Sequence, residues 1–358
     1  MNWASTRYHR QELLPGFGSE GQKRLSEAKV LVIGAGGLGC PALQYLAAAG
    51  IGHLGIADPD VVSISNLHRQ VLYSEQDIGQ PKVEVAKRRL LQLNSSIEVR
   101  TWQAVFDPTH CLQFINDYDV VLDATDRFAS RYWISDACFL IKKPLVFGAV
   151  SRFEGQVAVF KELSYRDLFP IQPMEGTVQD CASAGVLGVL PGMIGVLQAT
   201  EVLKIITGIG VPLYDQLLHY QALSQSFYTI KLQANPVAAA HRPTNLEAYQ
   251  TMEYEAICDS SVPLVSVEVW REAPQDYCLI DVREMDEQPR LDGLLAQVFP
   301  KSRWAEGWEN ESEKKLLFVC QSGIRSNQVA ALVRQKNPGL RVFSLEGGVQ
   351  AMIKHNLL

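Results

Sequence analysis

KVLVIGAGGLGCPALQYLAAAG, residues 29–50, decides how the first half of this chain folds. KVLVIGA has the apolar, β-branched character of a buried strand, and LGCPALQYLAAAG reads as the helix that follows it. Between them the glycines of GAGGLG, residues 34–39, let the backbone come close to a phosphate whose charge the helix N-terminus favours. The next strand, HLGIADPD, ends in acid and puts Asp58 where a carboxylate binds ribose hydroxyls. Alone, this fingerprint fits an NAD-dependent oxidoreductase as well as an ATP-using enzyme.

The alternation continues outward. PKVEVAKRRLLQLN is a helix, IEVRTWQA and DVVLDATD are strands, PLVFGAV is another strand, and GQVAVF opens an antiparallel pair or edge. Short apolar strands separated by helices imply a largely parallel α/β sheet covered on both faces. Around residues 234–254 periodicity lapses, and a second, smaller α/β series follows: PLVSVEVWREA, YCLIDVRE, KLLFVC, a helix and LRVFSLEGG. The expected organisation is one nucleotide-binding domain over 1–240, a linker over 241–256 and a small domain over 257–358.

The 358 residues carry 47% hydrophobic and 20% charged residues with a net charge of −6, which gives no reason to expect nucleic acid or an anionic membrane as partner. No apolar segment of signal-peptide length opens the chain, so a cytoplasmic location is expected. The seven cysteines stand singly with no C-x-x-C pair, which argues against a disulfide framework and a clustered zinc site. The uncharged stretch 181–200 is long enough to mimic a membrane span, but its glycines, proline and run into Glu201 and Lys204 make it a buried helix or subunit interface.

SNLHRQ, residues 65–70, sets Asn66 and Arg69 in a loop after the second strand. Lys82 opens the next helix, and Asp126 follows the strand of DATD. Two cations and a carboxylate at the carboxyl ends of strands suit a triphosphate with Mg²⁺ better than a nicotinamide. Arg69 and Lys82 would neutralise the charge that builds as the α-phosphate is attacked, and Asp126 would hold the metal. Taken singly, each has a plain alternative: the cations as solvated surface charges, Asp126 as a helix cap.

With RYHRQELLPGFGSEGQ, VLVIGAGGLGCPALQYLAAAGIG, DPDVVSISNLHRQ, DIGQPKVEVA, DYDVVLDATDRFASRY and FEGQVAVF in this order, residues 5–235 resemble the MoeB/ThiF family of E1-like adenylyltransferases. The resemblance implies a Rossmann-like E1 fold that uses ATP to adenylate the C-terminal Gly-Gly carboxylate of a ubiquitin-like sulfur carrier, of the molybdopterin (MoaD-like) or thiamine (ThiS-like) type. It implies a nucleotide site of Gly37, Asp58, Ser65, Asn66, Leu67, His68, Arg69, Lys82 and Asp126. It also implies a homodimer in which Arg10 reaches the partner's site. Arg127 stands where the family usually has Asn, an extra cation that either touches the nucleotide or faces water.

Most members of that family carry two C-x-x-C pairs that bind structural zinc. Here the corresponding stretches are SYRD (164–167) and NPVAAAH (235–241), without a cysteine. Zinc needs four well-placed ligands, and only Asp167 and His241 remain as candidates. No zinc is expected, with burial or dimer contacts in its place.

CQSGIRS, residues 320–326, follows an apolar strand and opens a helix. A cysteine there gains thiolate stability from loop amides, the helix N-terminus and a nearby Arg325. Cys40, Cys138 and Cys278, by contrast, read as small buried apolar residues. Together with LIDVRE (279–284) and LEGGVQAM (345–352), CQSGIRS resembles a rhodanese domain over about 257–358. The resemblance implies a persulfide on Cys320 within a loop of Gln321, Ser322, Gly323, Ile324 and Arg325, charged by a donor of the cysteine desulfurase type. LDGLLAQVFP stands where rhodaneses usually have an H-I-x-G-A segment. Tethering raises the persulfide to an effective concentration on the order of millimolar beside the activated carboxylate. Cys181 falls where relatives have a cysteine that forms a covalent link to the carrier, or it is a buried cysteine at a helix start. The leading expectation is adenylation followed by thiocarboxylation, with a non-catalytic carrier scaffold and an oxidoreductase as alternatives.

Overall fold

A computed structural model of the chain describes residues 7–104, 108–170, 185–252, 254, 262–291, 294, 296–300, 303, 314–337, 339–355 and 357. It divides into two compact units, Met1–Pro173 with Gln179–Tyr254, and Met174–Val178 with Glu255–Leu358.

The first unit opens with helices α1 (His9–Glu12) and α2 (Gly18–Glu27), then β1 (Lys29–Ile33), α3 (Gly39–Ala49) and β2 (His53–Ala57). Next come α4 (Lys82–Leu93), β3 (Glu98–Trp102), α5 (Pro108–Asn116), β4 (Val120–Asp123), α6 (Phe128–Leu140), β5 (Leu145–Ser151) and β6 (Glu154–Phe160). The short α7 (Tyr165–Leu168), the long α8 (Val189–Thr207), β7 (Gln216–Gln221), β8 (Ser226–Lys231), α9 (Pro236–His241) and α10 (Leu246–Thr251) complete it.

The strands form one sheet in the order β3-β2-β1-β4-β5-β6-β7-β8. Pairing is parallel from β3 to β5 and antiparallel from β5 to β8, the expected largely parallel α/β sheet with an antiparallel extension. Because successive side chains of a strand point to opposite faces, β1 feeds two cores. Val30 and Val32 pack with Leu43 and Leu46 of α3 and Ile194 and Val202 of α8, while Leu31 and Ile33 pack with Ile115 of α5 and Tyr132 and Ile134 of α6. The apolar α8, long enough to cross a bilayer, lies against α3 and the sheet: a Cβ on its Gly195 would come within 2.2 Å of the Leu38 carbonyl oxygen.

The described residues of the stretch expected to be a linker are folded. Asn235 and Asn245 cap α9 and α10 through their side chains, and Tyr249 and Tyr254 are buried in the core beside α6. Helices of six residues are too short to print a period on the sequence.

The second unit contains β9 (Leu264–Val265), α11 (Val267–Glu272), β10 (Tyr277–Asp281), β11 (Gln297–Val298), β12 (Lys315–Val319), α12 (Ile324–Lys336), β13 (Val342–Leu345) and α13 (Gly348–Lys354). Its five strands run parallel in the order β11-β10-β12-β13-β9. Leu316 and Phe318 of β12 face Val329 and Val333 of α12, and Leu317 and Val319 face Trp270, Val349 and Met352. This is the small α/β unit that the second series of motifs implied.

Candidate active site: a nucleotide edge and a thiol loop

In the first unit the strand order reverses at β1, which lies between β2 and β4, and the carboxyl ends of these strands form the crevice where ligands bind in such sheets. The glycine loop fills that edge. Gly34 sits at φ +99°, and a Cβ on it would come within 2.6 Å of the Ala124 carbonyl oxygen, so the exits of β1 and β4 are pressed together. At Gly37 a Cβ would meet Pro191 of α8 at 2.9 Å and Arg69 Cγ at 3.5 Å. The loop therefore stays thin between two helices and the arginine.

Asp58, buried at the end of β2, accepts the Ala35 amide at 2.7 Å through Oδ2 and the Asp60 amide at 2.8 Å through Oδ1. Burial pushes its carboxyl up, against the Lys82 charge and these two amides, which pull it down. Lys82 heads α4 and is itself buried; its ammonium is paired with Asp60 Oδ2 at 2.7 Å, and its amide donates to the Asp60 carbonyl at 3.0 Å. The aspartate two residues beyond Asp58 thus aims the lysine, a role the sequence reading did not assign.

SNLHRQ begins on a 3-10 turn, Ile64–Asn66. The Asn66 carbonyl accepts the amides of Arg69 at 3.0 Å and Gln70 at 2.9 Å. Ser65 Oγ lies 2.9 Å from Ser63 Oγ, and half-buried Leu67 packs on the core. Arg69 donates from Nη1 to the Ser65 carbonyl at 3.0 Å and to His68 Nε2 at 2.7 Å, and a Cβ on Gly188, just before α8, would come within 2.7 Å of the His68 carbonyl oxygen. Asp126 and Arg127 are exposed between β4 and α6; Arg127 holds the N-cap position of α6 without a side-chain cap bond. Arg10 is exposed on α1. Cys181 lies outside the described residues.

Three supporting residues escaped the sequence reading besides Asp60. Tyr73 donates its hydroxyl to the Ala35 carbonyl at 2.8 Å, fixing the glycine loop from below. Gln198 of α8 donates to the carbonyl of Asp123 at 2.7 Å, and the buried Asp123 carboxylate accepts Thr125 N at 2.9 Å and Oγ1 at 2.6 Å. Burial pushes the Asp123 carboxyl up. The only local signal for Asp123 was its position at the end of the DATD strand.

In the second unit Cys320 follows β12 directly and is only 1% exposed. Its Sγ lies 3.5 Å from Ser326 Oγ, which also reaches the Gly323 carbonyl at 3.0 Å and Ser344 Oγ at 2.9 Å. Gly348 at φ +58° holds the loop from outside, since a Cβ there would meet the Cys320 carbonyl oxygen at 2.2 Å. The Cys320 and Gln321 carbonyls accept the Val349 and Gln350 amides at 2.8 and 3.1 Å, and the Gly323 carbonyl accepts the Asn327 amide at 3.2 Å. These bonds hold the loop that follows the thiol in one shape.

Arg325 lies close enough to Cys320 for the two to interact electrostatically, and its charge is paired. Glu287 accepts both of its outer nitrogens, at 2.6 and 2.5 Å. Arg283 is buried on Asp281 at 2.9 and 2.8 Å and reaches Gln321 Oε1 at 3.2 Å. Both arginines near the thiol are matched by carboxylates, an arrangement that suits a singly charged sulfur better than a phosphate. Burial pushes the thiol of Cys40 up to about 12 and that of Cys138 well above its ordinary value, so both are inert. Cys278, expected to be buried, is partly buried against the core of the second unit.

Residues 8–239 match the ThiF family model. The chain belongs to the ThiF family. The sulfur carrier protein adenylyltransferase of Thermus thermophilus is 47% identical over 271 residues, covering 72% of this chain and 99% of that protein. A probable adenylyltransferase/sulfurtransferase, MoeZ of Mycobacterium tuberculosis, is 38% identical over 372 residues, covering 97% of this chain and 92% of the relative, so its likeness extends across the second unit. Among solved structures, E. coli MccB with ATP superimposes with a TM-score of 0.55 at 25% identity, covering 61% of this chain and 68% of that one. As a ThiF-family protein this chain has its glycine loop, Asp58, SNLHRQ and Lys82 on the crevice edge of the sheet.

The stretches where ThiF-family resemblance would put zinc cysteines are engaged otherwise. Ser164 caps α7 with Asp167, and His241 Nδ1 lies 2.9 Å from the Val237 carbonyl. Among the described residues no group of three or more His, Cys, Asp or Glu side chains is gathered to hold a metal.

Proposed function

We propose that this chain uses ATP to adenylate the C-terminal carboxylate of a ubiquitin-like sulfur carrier protein ending in Gly-Gly, and then delivers sulfur to it from Cys320. The carboxylate oxygen attacks the α-phosphorus of ATP and pyrophosphate leaves, giving an acyl-adenylate. The terminal sulfur of a Cys320 persulfide attacks the acyl carbon and AMP leaves, giving an acyl disulfide. A second thiol then cleaves the S–S bond and frees the thiocarboxylate.

The observation that carries this reading is the pairing, in one chain, of a nucleotide edge built on Asp58, Arg69 and Lys82 with a buried cysteine at a strand-to-helix turn. Arg69 and Lys82 place positive charge where the triphosphate would lie, and such fixed charges stabilise a transition state without reorganisation. The exposed Asp126 carboxylate would hold Mg²⁺, which would supply charge neutralisation for the phosphates. Arg127, beside it, adds a cation at the same rim.

The relatives named as adenylyltransferases and sulfurtransferases support the same reading. It includes a homodimer in which the exposed Arg10 reaches the partner's nucleotide, a cysteine desulfurase as persulfide donor, Cys181 as a candidate covalent link to the carrier, a cytoplasmic location, no nucleic-acid or membrane partner, and no resident zinc.

Co-purification with tagged Gly-Gly carriers, followed by intact mass of the carrier, tests it. One sulfur replacing one oxygen at the carrier C-terminus is expected, and pyrophosphate exchange only when carrier is present. Exchange without carrier, or none with any carrier, rejects the reading.

A further inference from the structure

The residues of SYRD and the segment after β8 meet in a knot of hydrogen bonds and ion pairs. Asp167 accepts the Ser164 amide at 2.8 Å and hydroxyl at 3.1 Å on Oδ2, and the Asn235 amide at 3.0 Å on Oδ1. The same Oδ2 accepts the Arg242 guanidinium. The Asp167 side chain is 2% exposed and that of Arg242 13%, and the guanidinium lies 4.0 Å from the centroid of the Phe139 ring on α6.

Next to it, Arg166 donates to both oxygens of the fully buried Asp136 at 2.8–2.9 Å. Its guanidinium is 4.9 Å from the Tyr132 ring and 5.9 Å from the Tyr254 ring. Tyr165 joins through its amide, which donates to Ser135 Oγ at 2.8 Å.

These contacts tie three pieces of chain far apart in sequence: α6, the turn after β6, and the exit from β8. A structural zinc with two cysteine pairs would tie the last two. The residues present do not suit that ion. Ser164 has no thiolate, both Asp167 oxygens are already taken, Ala238 has no ligating atom, and the exposed His241 is turned onto its own helix carbonyl.

We propose that the Asp167–Arg242 ion pair, backed by Asp136–Arg166, is a staple that replaces zinc, so that the first unit folds and holds without a resident metal. Buried guanidinium–carboxylate pairs of this kind lock geometry because removing one member strands the other in a low-dielectric site. The fork of Arg242 and the face of Phe139 together fix a direction as well as a distance.

The test uses the full chain and has two arms. In the first, protein made in zinc-supplemented medium is assayed for metal by elemental mass spectrometry and melted with and without EDTA and with added zinc. Less than a stoichiometric amount of zinc and an unchanged Tm in every condition are expected. One zinc per chain with a Tm that falls under chelation overturns the proposal.

In the second arm Asp167→Asn, Arg242→Met and the double variant are unfolded by denaturant. Each single change is expected to lower the folded-to-unfolded ratio by roughly 100-fold, and the double to lose clearly less than the product of the two. Independent, multiplying losses overturn the staple even if zinc is absent. Should a single variant not fold while the double does, that is the strongest form of the expected coupling. If neither single nor double folds, the chelator arm decides alone.

Discussion

Lys82 Nζ and Asp60 Oδ2 stand 2.7 Å apart, the lysine side chain 5% exposed and the aspartate 63%. The cation is therefore aimed along one direction, toward the sheet edge, by a partner that remains in solvent. A phosphate arriving at that edge finds an ammonium already desolvated, and an ion held in place in advance stabilises developing charge more than a mobile one.

Lys82→Ala should lower carrier-dependent pyrophosphate exchange by about 100-fold. Asp60→Asn keeps the ammonium but releases its aim, so its effect should be smaller and divided between KM for ATP and kcat. Steady-state exchange kinetics on the two variants check this ordering.

Asp58→Asn should weaken nucleotide binding and loosen the glycine loop, because one of two amide-accepting oxygens becomes a donor facing an N–H. A charge-assisted bond of this type contributes about 1.5–3 kcal/mol, so ATP affinity should fall by about 10- to 100-fold. Calorimetric titration with ATP measures it.

The thiol loop should separate from the nucleotide edge by mutation. Cys320→Ser is expected to abolish carrier thiocarboxylation without an outside sulfide source, while leaving pyrophosphate exchange at the parent rate. Gly348→Ala should do the same through backbone strain, since its Cβ would run into the Cys320 carbonyl. Both activities measured on both variants check the separation.

Glu287 supplies a pH signature. Hydrogen bonds from Arg325 hold its carboxyl below the usual range, against a smaller opposing effect of burial. A depressed folded value means that the pair stabilises above the unfolded carboxyl value, about 4.3, and that this stabilisation fades as pH falls through the lower folded value. Glu287→Gln should therefore lower the melting of the second unit at neutral pH and converge on the parent protein in acid. Differential scanning calorimetry across pH reads the two curves.

Much of the fold was legible because it is written locally. The apolar run into GAGGLG set β1, its loop and α3, and the acid at the end of HLGIADPD set Asp58. CQSGIRS located the thiol loop for the same reason, a strand running into a glycine-bearing helix start. What the sequence hid was pairing at a distance. Arg242 lies 75 residues from Asp167 and Arg325 lies 38 from Glu287, and no periodicity links partners so far apart. Asp60 was hidden differently: its motif neighbour Asp58 accounted for the acid, so the lysine's partner went unread. Tyr249 and Tyr254 were missed because they are held by tertiary burial.

The sealing of Cys320 beneath its own loop has a chemical side benefit. Peroxide attacks thiolates it can reach, and the steps from sulfenic to sulfonic acid follow accessibility. At 1% exposure this residue is shielded from that damage. On the function proposed above, the same shelter obliges the loop to part whenever sulfur is handed on, which would make that opening a point at which the rate of supply is set.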